Sequence, residues 1–294
     1  MRSVFCVLAV AGLFLAVAPG RTQGHMYRSG QSVQPVYEGF EENPDGGYTM
    51  WFGYLNRNHE EEPHIPIGPD NNFSVDRGQP THFYPRQQFV FGVTVPADFG
   101  DQQLVWTLRR SGEVRTAVGK LEPEWVWRLN EDIWRGNRGG MGSESPHQPP
   151  TIEVVGEDTV MVAVGEAVIL TGSVKDDGLP EPQAGARGRG GPGPDPLPND
   201  IPSILGVAGS PNRQAVVSPA AARETGMAVT WLHYRGPGSV RLDPMVVPLD
   251  AAGGSAATSA RFGEAGTYEV RAFADDGLYP RSAGVTVVVK ENTP

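Results

Sequence analysis

Two acidic tripeptides carry the clearest chemistry in this chain. Asp176-Asp177-Gly178 and Asp275-Asp276-Gly277 each close a run of alternating apolar residues. Calcium takes six to eight oxygen ligands, and carboxylates with backbone carbonyls suit it. Asp-Gly is also a good turn former in its own right. Both readings stand at this point: a carboxylate quartet of Asp176, Asp177, Asp275 and Asp276 that holds calcium, or two turns and nothing more. A second constellation is Asn58-His59-Glu60-Glu61-Glu62-Pro63-His64, where two imidazoles and three carboxylates crowd one segment. Its spacing matches no strong zinc motif, and Pro63 opposes a helical display of both histidines. A solvated acidic loop is the expectation there. Gly68-Pro69-Asp70-Asn71-Asn72 reads in the same way as a turn.

Aromatic residues form a third group. Tyr48, Met50, Phe52 and Tyr54 share one face of a candidate strand, and Thr49, Trp51 and Leu55 share the other. Trp125 and Trp127 follow at the end of the same half of the chain. Such rings seal a core or a domain seam, or else stack on sugar rings. The candidate ligand platform is Trp51, Tyr54, Trp125 and Trp127. Motifs of catalysis are missing: there is no Gly-x-Ser-x-Gly elbow, no His-Glu-x-x-His and no phosphate-binding loop. A pair of carboxylates for glycoside hydrolysis is a matter of spatial separation, which a sequence does not display.

The elements that must position these groups are strands. Val33 to Phe40 and Tyr48 to Leu55 flank the turn Glu42-Asn43-Pro44-Asp45-Gly46-Gly47. Phe89, Phe91, Val93 and Val95 alternate, as do Leu104, Trp106 and Leu108. Arg110-Ser111-Gly112-Glu113 then predicts a hairpin into Val114 to Leu121. Five to seven antiparallel strands over residues 25–134 make a first sandwich. Residues 135–150 are Gly- and Pro-rich and read as a linker.

Beyond it, residues 151–290 predict a second sandwich, with strands at 160–164, 167–174, 229–233, 239–242, 259–262, 268–274 and 285–289. An insertion at 179–226 opens with a Gly/Arg/Pro-rich stretch that has too little apolar area to offset chain entropy, and disorder is expected for most of it. A short helix fits Pro219 to Thr225. Gly165-Glu166-Ala167-Val168-Ile169-Leu170, Val229-Thr230-Trp231, Gly266-Thr267-Tyr268 and Val285-Thr286-Val287 carry a family likeness. On these segments the second half resembles PKD-type and related immunoglobulin-like modules of exported bacterial proteins. The resemblance implies a sandwich in which the hydroxyl of Tyr268 ties down a corner. It also implies that both acidic bends lie at one end. The usual Trp-Asp-Phe-Gly-Asp-Gly run is replaced here by Trp231-Leu232-His233-Tyr234-Arg235-Gly236. The first half is similar to N-terminal modules of uncharacterised secreted bacterial proteins through Phe52 to Asn58 and Val95 to Gly100; no activity comes with that likeness.

Bulk composition sets the remaining bounds. The formal net charge of −10 is diffuse and argues against a nucleic-acid surface, which needs clustered Lys and Arg. Arg2 followed by the apolar run Val4 to Ala18 has the form of a signal segment ending within residues 1–24. Retained, it would be the chain's one membrane attachment. Cys6 is the only cysteine and lies inside that segment, so the remainder can form no disulfide or zinc–thiolate site. The expectation is an all-β protein: two antiparallel, immunoglobulin-like β-sandwich domains, exported to the periplasm, cell surface or medium. Its expected role is non-catalytic binding or structure in the cell envelope, with calcium as the candidate cofactor and an envelope protein or glycan as partner. The alternatives are a carbohydrate-binding accessory protein and, further off, a glycan-active hydrolase.

Overall fold

The computed structural model describes residues 27–58, 60–75, 78–84, 87–126, 148–179, 226–276 and 280–292. The leader at 1–24, Trp127, His59, Gly277, most of the linker and the insertion apart from its ends lie outside the described residues.

Among the described residues six strands build the first half: β1 (Val33–Glu42), β2 (Tyr48–Asn56), β3 (Asn71–Phe73), β4 (Gln87–Val95), β5 (Leu104–Arg110) and β6 (Glu113–Gly119). They form two antiparallel sheets in the orders β1-β2-β4 and β3-β5-β6. The turn between β1 and β2 closes as its residues predict. Asn43 N–H donates to Gly47 O at 2.8 Å, and Asp45 Oδ1 accepts from Gly47 N–H. The β5–β6 hairpin turns on Ser111 and Gly112, both at positive φ, which matches the twist of the strands it joins. Between the sheets lies an aromatic core of Phe52, Phe73, Phe91 and Trp106. Ring centroids in this group are 5.1 to 5.5 Å apart in edge-on and stacked pairs, each adding about 1 kcal/mol beyond area burial.

Among the described residues nine strands build the second half. They are β7 (Thr151–Val154), β8 (Thr159–Ala163), β9 (Ala167–Lys175), β10 (Met227–Arg235), β11 (Val240–Asp243), β12 (Val246–Leu249), β13 (Gly253–Phe262), β14 (Gly266–Asp275) and β15 (Pro280–Lys290). One sheet has the order β12-β10-β14-β15-β8 and the other β11-β13-β9-β7. The expectation of a purely antiparallel sandwich is corrected at one edge, where β8 runs parallel to β15. The chain pairs with β9 as β7, turns at Gly156 and joins the opposite sheet as β8. β7 and β12 were not expected. Both are only four residues long and edge-placed, too short for an alternation to stand out. Trp231 is fully buried, its ring 3.6 Å from where a Cβ on Gly172 of the facing sheet would sit. Tyr268 Oη donates to Glu264 O at 2.9 Å, the corner tie that the resemblance implied.

Candidate functional site at the seam between the sandwiches

The two halves are not separate beads. Strand β10 is buried along Met227 to Tyr234 on both faces, more than a two-layer sandwich alone provides for. Segment 78–84 of the first half covers its far end. Thr81 N–H donates to Tyr234 O at 3.0 Å, and His233 N–H donates to Tyr84 Oη at 3.2 Å. Arg235 Nε donates to Gln79 O at 2.8 Å, and Tyr234 Oη donates to Gly78 O. Buried backbone groups must find partners, and here each half supplies them to the other.

Local structure sets this segment in place. Residues 63–65 and 81–83 pair as a short antiparallel ladder: Ile65 N–H donates to Thr81 O, Phe83 N–H to Pro63 O, and His64 stands opposite His82. Phe83 turns inward against Tyr54, with centroids 4.9 Å apart. Asn56 Nδ2 donates to both Glu61 O and Phe83 O, and Asn58 Nδ2 to Gln31 O. These amides hold Asn58 and Glu61 against the body. The acidic loop is therefore corrected from solvated to clamped. Glu61 accepts from Gly30 N–H and pairs with Arg110, and the Glu62 side chain is largely buried.

Three imidazoles meet at the seam. The ring of His82 lies 4.8 Å from that of His233, at 30° between planes, and 6.3 Å from that of His64. His64 is exposed, His82 half-buried and His233 fully buried, so the row runs from solvent into the core. His82 Nε2 stands 3.6 Å from Glu62 Oε2. His82 Nδ1, His233 Nε2 and Glu62 Oε1 are buried without a hydrogen-bond partner. Burial, then the neighbouring His82 and His64, pushes His233 down to about 3. Burial and His82 also lower His64. Around the row, burial holds the hydroxyls of Tyr54, Tyr84 and Tyr234 above their ordinary value, so all three stay neutral. Stacked rings point their in-plane lone pairs side by side, which does not suit convergence on one ion. Among the described residues no group of three or more His, Cys, Asp or Glu could hold a metal ion.

The residues singled out in the sequence lie elsewhere or apart. Tyr54 is corrected as a platform residue: it is buried, and its hydroxyl accepts from Tyr84 N–H at 3.0 Å. Trp51 lies on the opposite face of β2, with the Arg281 guanidinium 5.0 Å from its ring. Trp125 is exposed and leans on Tyr37, 5.6 Å between centroids. Asp176 and Asp177 follow β9, Asp275 is the last residue of β14 and Asp276 follows it. Gly165 N–H donates to Phe262 O and Val164 N–H to Lys290 O, which puts the start of β9 beside the end of β15, and β14 runs opposite to β15. The two acidic bends thus share one pole. Asp176 Oδ2 accepts from Gly178 N–H, and Asp177 Oδ1 and Oδ2 accept from Leu179 and Gln148 N–H.

His82, Tyr84 and Gln79 gave no signal in the sequence. His233 did: it continues the alternation of Val229 and Trp231 and so belongs to a buried face.

No family model matches the chain, and no curated protein matches it. Solved structures with some likeness include a conjugative transposon lipoprotein from Bacteroides eggerthii, at 11% identity over 47% of this chain and 96% of that one, TM-score 0.25. The D00-D0 domain of intimin is 12% identical over 87% of this chain and 100% of that one, TM-score 0.25. The S-layer protein rSbsC is 10% identical over 84% of this chain and 24% of that one, TM-score 0.26. Similarity of this size carries nothing about function to this chain. Among the described residues no helix is long and apolar enough to cross a membrane.

Proposed function

We propose that this protein is a non-catalytic structural module of the cell envelope whose two sandwiches act as one rigid body. One observation carries the reading: four hydrogen bonds join segment 78–84 to residues 233–235, and two of them use main-chain groups of β10 itself. Tandem modules on a free linker keep mostly polar, separable interfaces. A shared set of main-chain and side-chain hydrogen bonds instead fixes the angle between the halves, as a spacer or presenting arm requires. Export rests on the leader-like segment at 1–24. The partner is an envelope protein or a glycan. Calcium is no necessary part of this reading, since turn N–H groups already engage Asp176 and Asp177.

Backbone 15N relaxation of the chain tests the rigid-body reading. A single rotational correlation time for both halves is expected, and two distinct times would reject it. Capture from the native envelope, run beside a glycan array, then separates a protein partner from a sugar.

A further inference from the structure

We propose that the histidine row makes the seam an acid-released latch: neutral imidazoles at His64 and His233, on either side of the His82 ring, close it, and their protonation in mild acid parts the two sandwiches. This rests on the rigid-body reading above and adds its regulation.

The geometry sets a charge problem. Glu62 is the carboxylate beside the row, 3.6 Å from His82. Glu269, on β14, is already engaged by Arg271 at 2.6 Å and by Arg235 at 3.8 Å. Arg271 also lies 3.9 Å from the Tyr234 ring. The second half thus brings cations to the seam. The tyrosines against the row, Tyr84 beside His82 and Tyr268 behind His233, are neutral and supply no counter-charge. Glu62 can pair with one imidazolium of the row. A second has no carboxylate to meet among the described residues. A proton added at His233 Nε2 would also be buried with no acceptor.

The sign of the effect follows from linkage. His233 is held down to about 3 in the closed state, against an ordinary value of 6.5. The open state therefore binds the extra proton. Closure is at full strength above about 6.5 and weakens as the pH falls toward about 3, by about tenfold in the closed-to-open ratio per pH unit for each proton taken up. His64, also lowered, acts in the same direction. The row gives protons a route: His64 is exposed, and His82 stands between it and His233.

Energy transfer between dyes on one introduced cysteine in each half tests the latch. The full chain with Cys6→Ser, Val114→Cys and Ile169→Cys suits, because both labelled positions are exposed on their sheets. Nanomolar dye-labelled protein avoids precipitation near the pI of about 5.1. Transfer should be constant above pH 7 and fall reversibly below about pH 6.5, while far-UV circular dichroism stays native. His233→Phe, which keeps a ring without a titrating nitrogen, should move the fall lower by about one pH unit. His82→Phe, at a half-buried site, is the second variant should the first not fold. Unchanged transfer down to pH 5, or the same midpoint in a folded variant, overturns the latch alone. Heterogeneous transfer already at pH 7.5 overturns the rigid-body reading as well, since nothing would then be latched.

Discussion

Arg281, at the start of β15, reaches across the seam to Glu41 at the end of β1. Its Nη2 lies 3.1 and 3.3 Å from the two carboxylate oxygens, and 240 residues separate the pair in sequence. The same guanidinium sits over Trp51. This is a second clasp, on strands other than β10, so the halves are joined at two places.

Arg281→Ala should therefore cost more than a surface ion pair. It strands Glu41, which is only 8% exposed, and uncovers Trp51. A loss of about 2 kcal/mol is expected in chemical denaturation. In a cycle with Glu41→Ala the double variant should lose less than the sum of the singles. Additive losses would show that the pair is not coupled.

Asn71 should prove among the most sensitive positions in the first half. It is fully buried. Its Nδ2 donates to Ile65 O and Pro80 O, and its Oδ1 accepts from Trp106 Nε1. Asn71→Ala leaves three buried groups unpaired, and a loss of about 3 kcal/mol is expected by urea titration. A loss below about 1 kcal/mol would mean that the loop reorganises around the gap.

Tyr268→Phe removes the bond to Glu264 O but keeps the ring packed on Phe262 and His233. About 1 kcal/mol of stability should be lost, with the fold unchanged by circular dichroism. Gly236→Ala should cost more. Gly236 has φ 134°, and a Cβ there would lie 2.5 Å from the Tyr268 ring.

Exchanging chelator for saturating calcium should leave the melting temperature unmoved, because the aspartates of the first bend accept hydrogen bonds from their own turn. A rise of several degrees would instead establish that a cation joins the two bends and binds the folded state.

Hairpins and alternating strands were readable because their cause is local. Side chains alternate every residue along a strand, and a turn such as Arg110-Ser111-Gly112-Glu113 carries its own geometry in a few residues. Tyr268 was readable because its partner lies only four residues back. Strands β7 and β12 were not, since four residues carry too few repeats of the period to stand out. Asn71 and Glu62 stand in stretches whose composition reads as loop, and composition is blind to which loop will be pinned under a neighbouring element.

The local pattern was sufficient for strand-built halves with two acidic bends. Which side chains meet at the seam was decided only by tertiary structure. Tyr84 and His233, 149 residues apart, touch because Phe83 anchors one segment and β10 runs through the other core. Pairings of that kind depend on how two independently patterned surfaces dock. Docking is set by complementary shape and unsatisfied main-chain groups, and neither is written in the period of a strand.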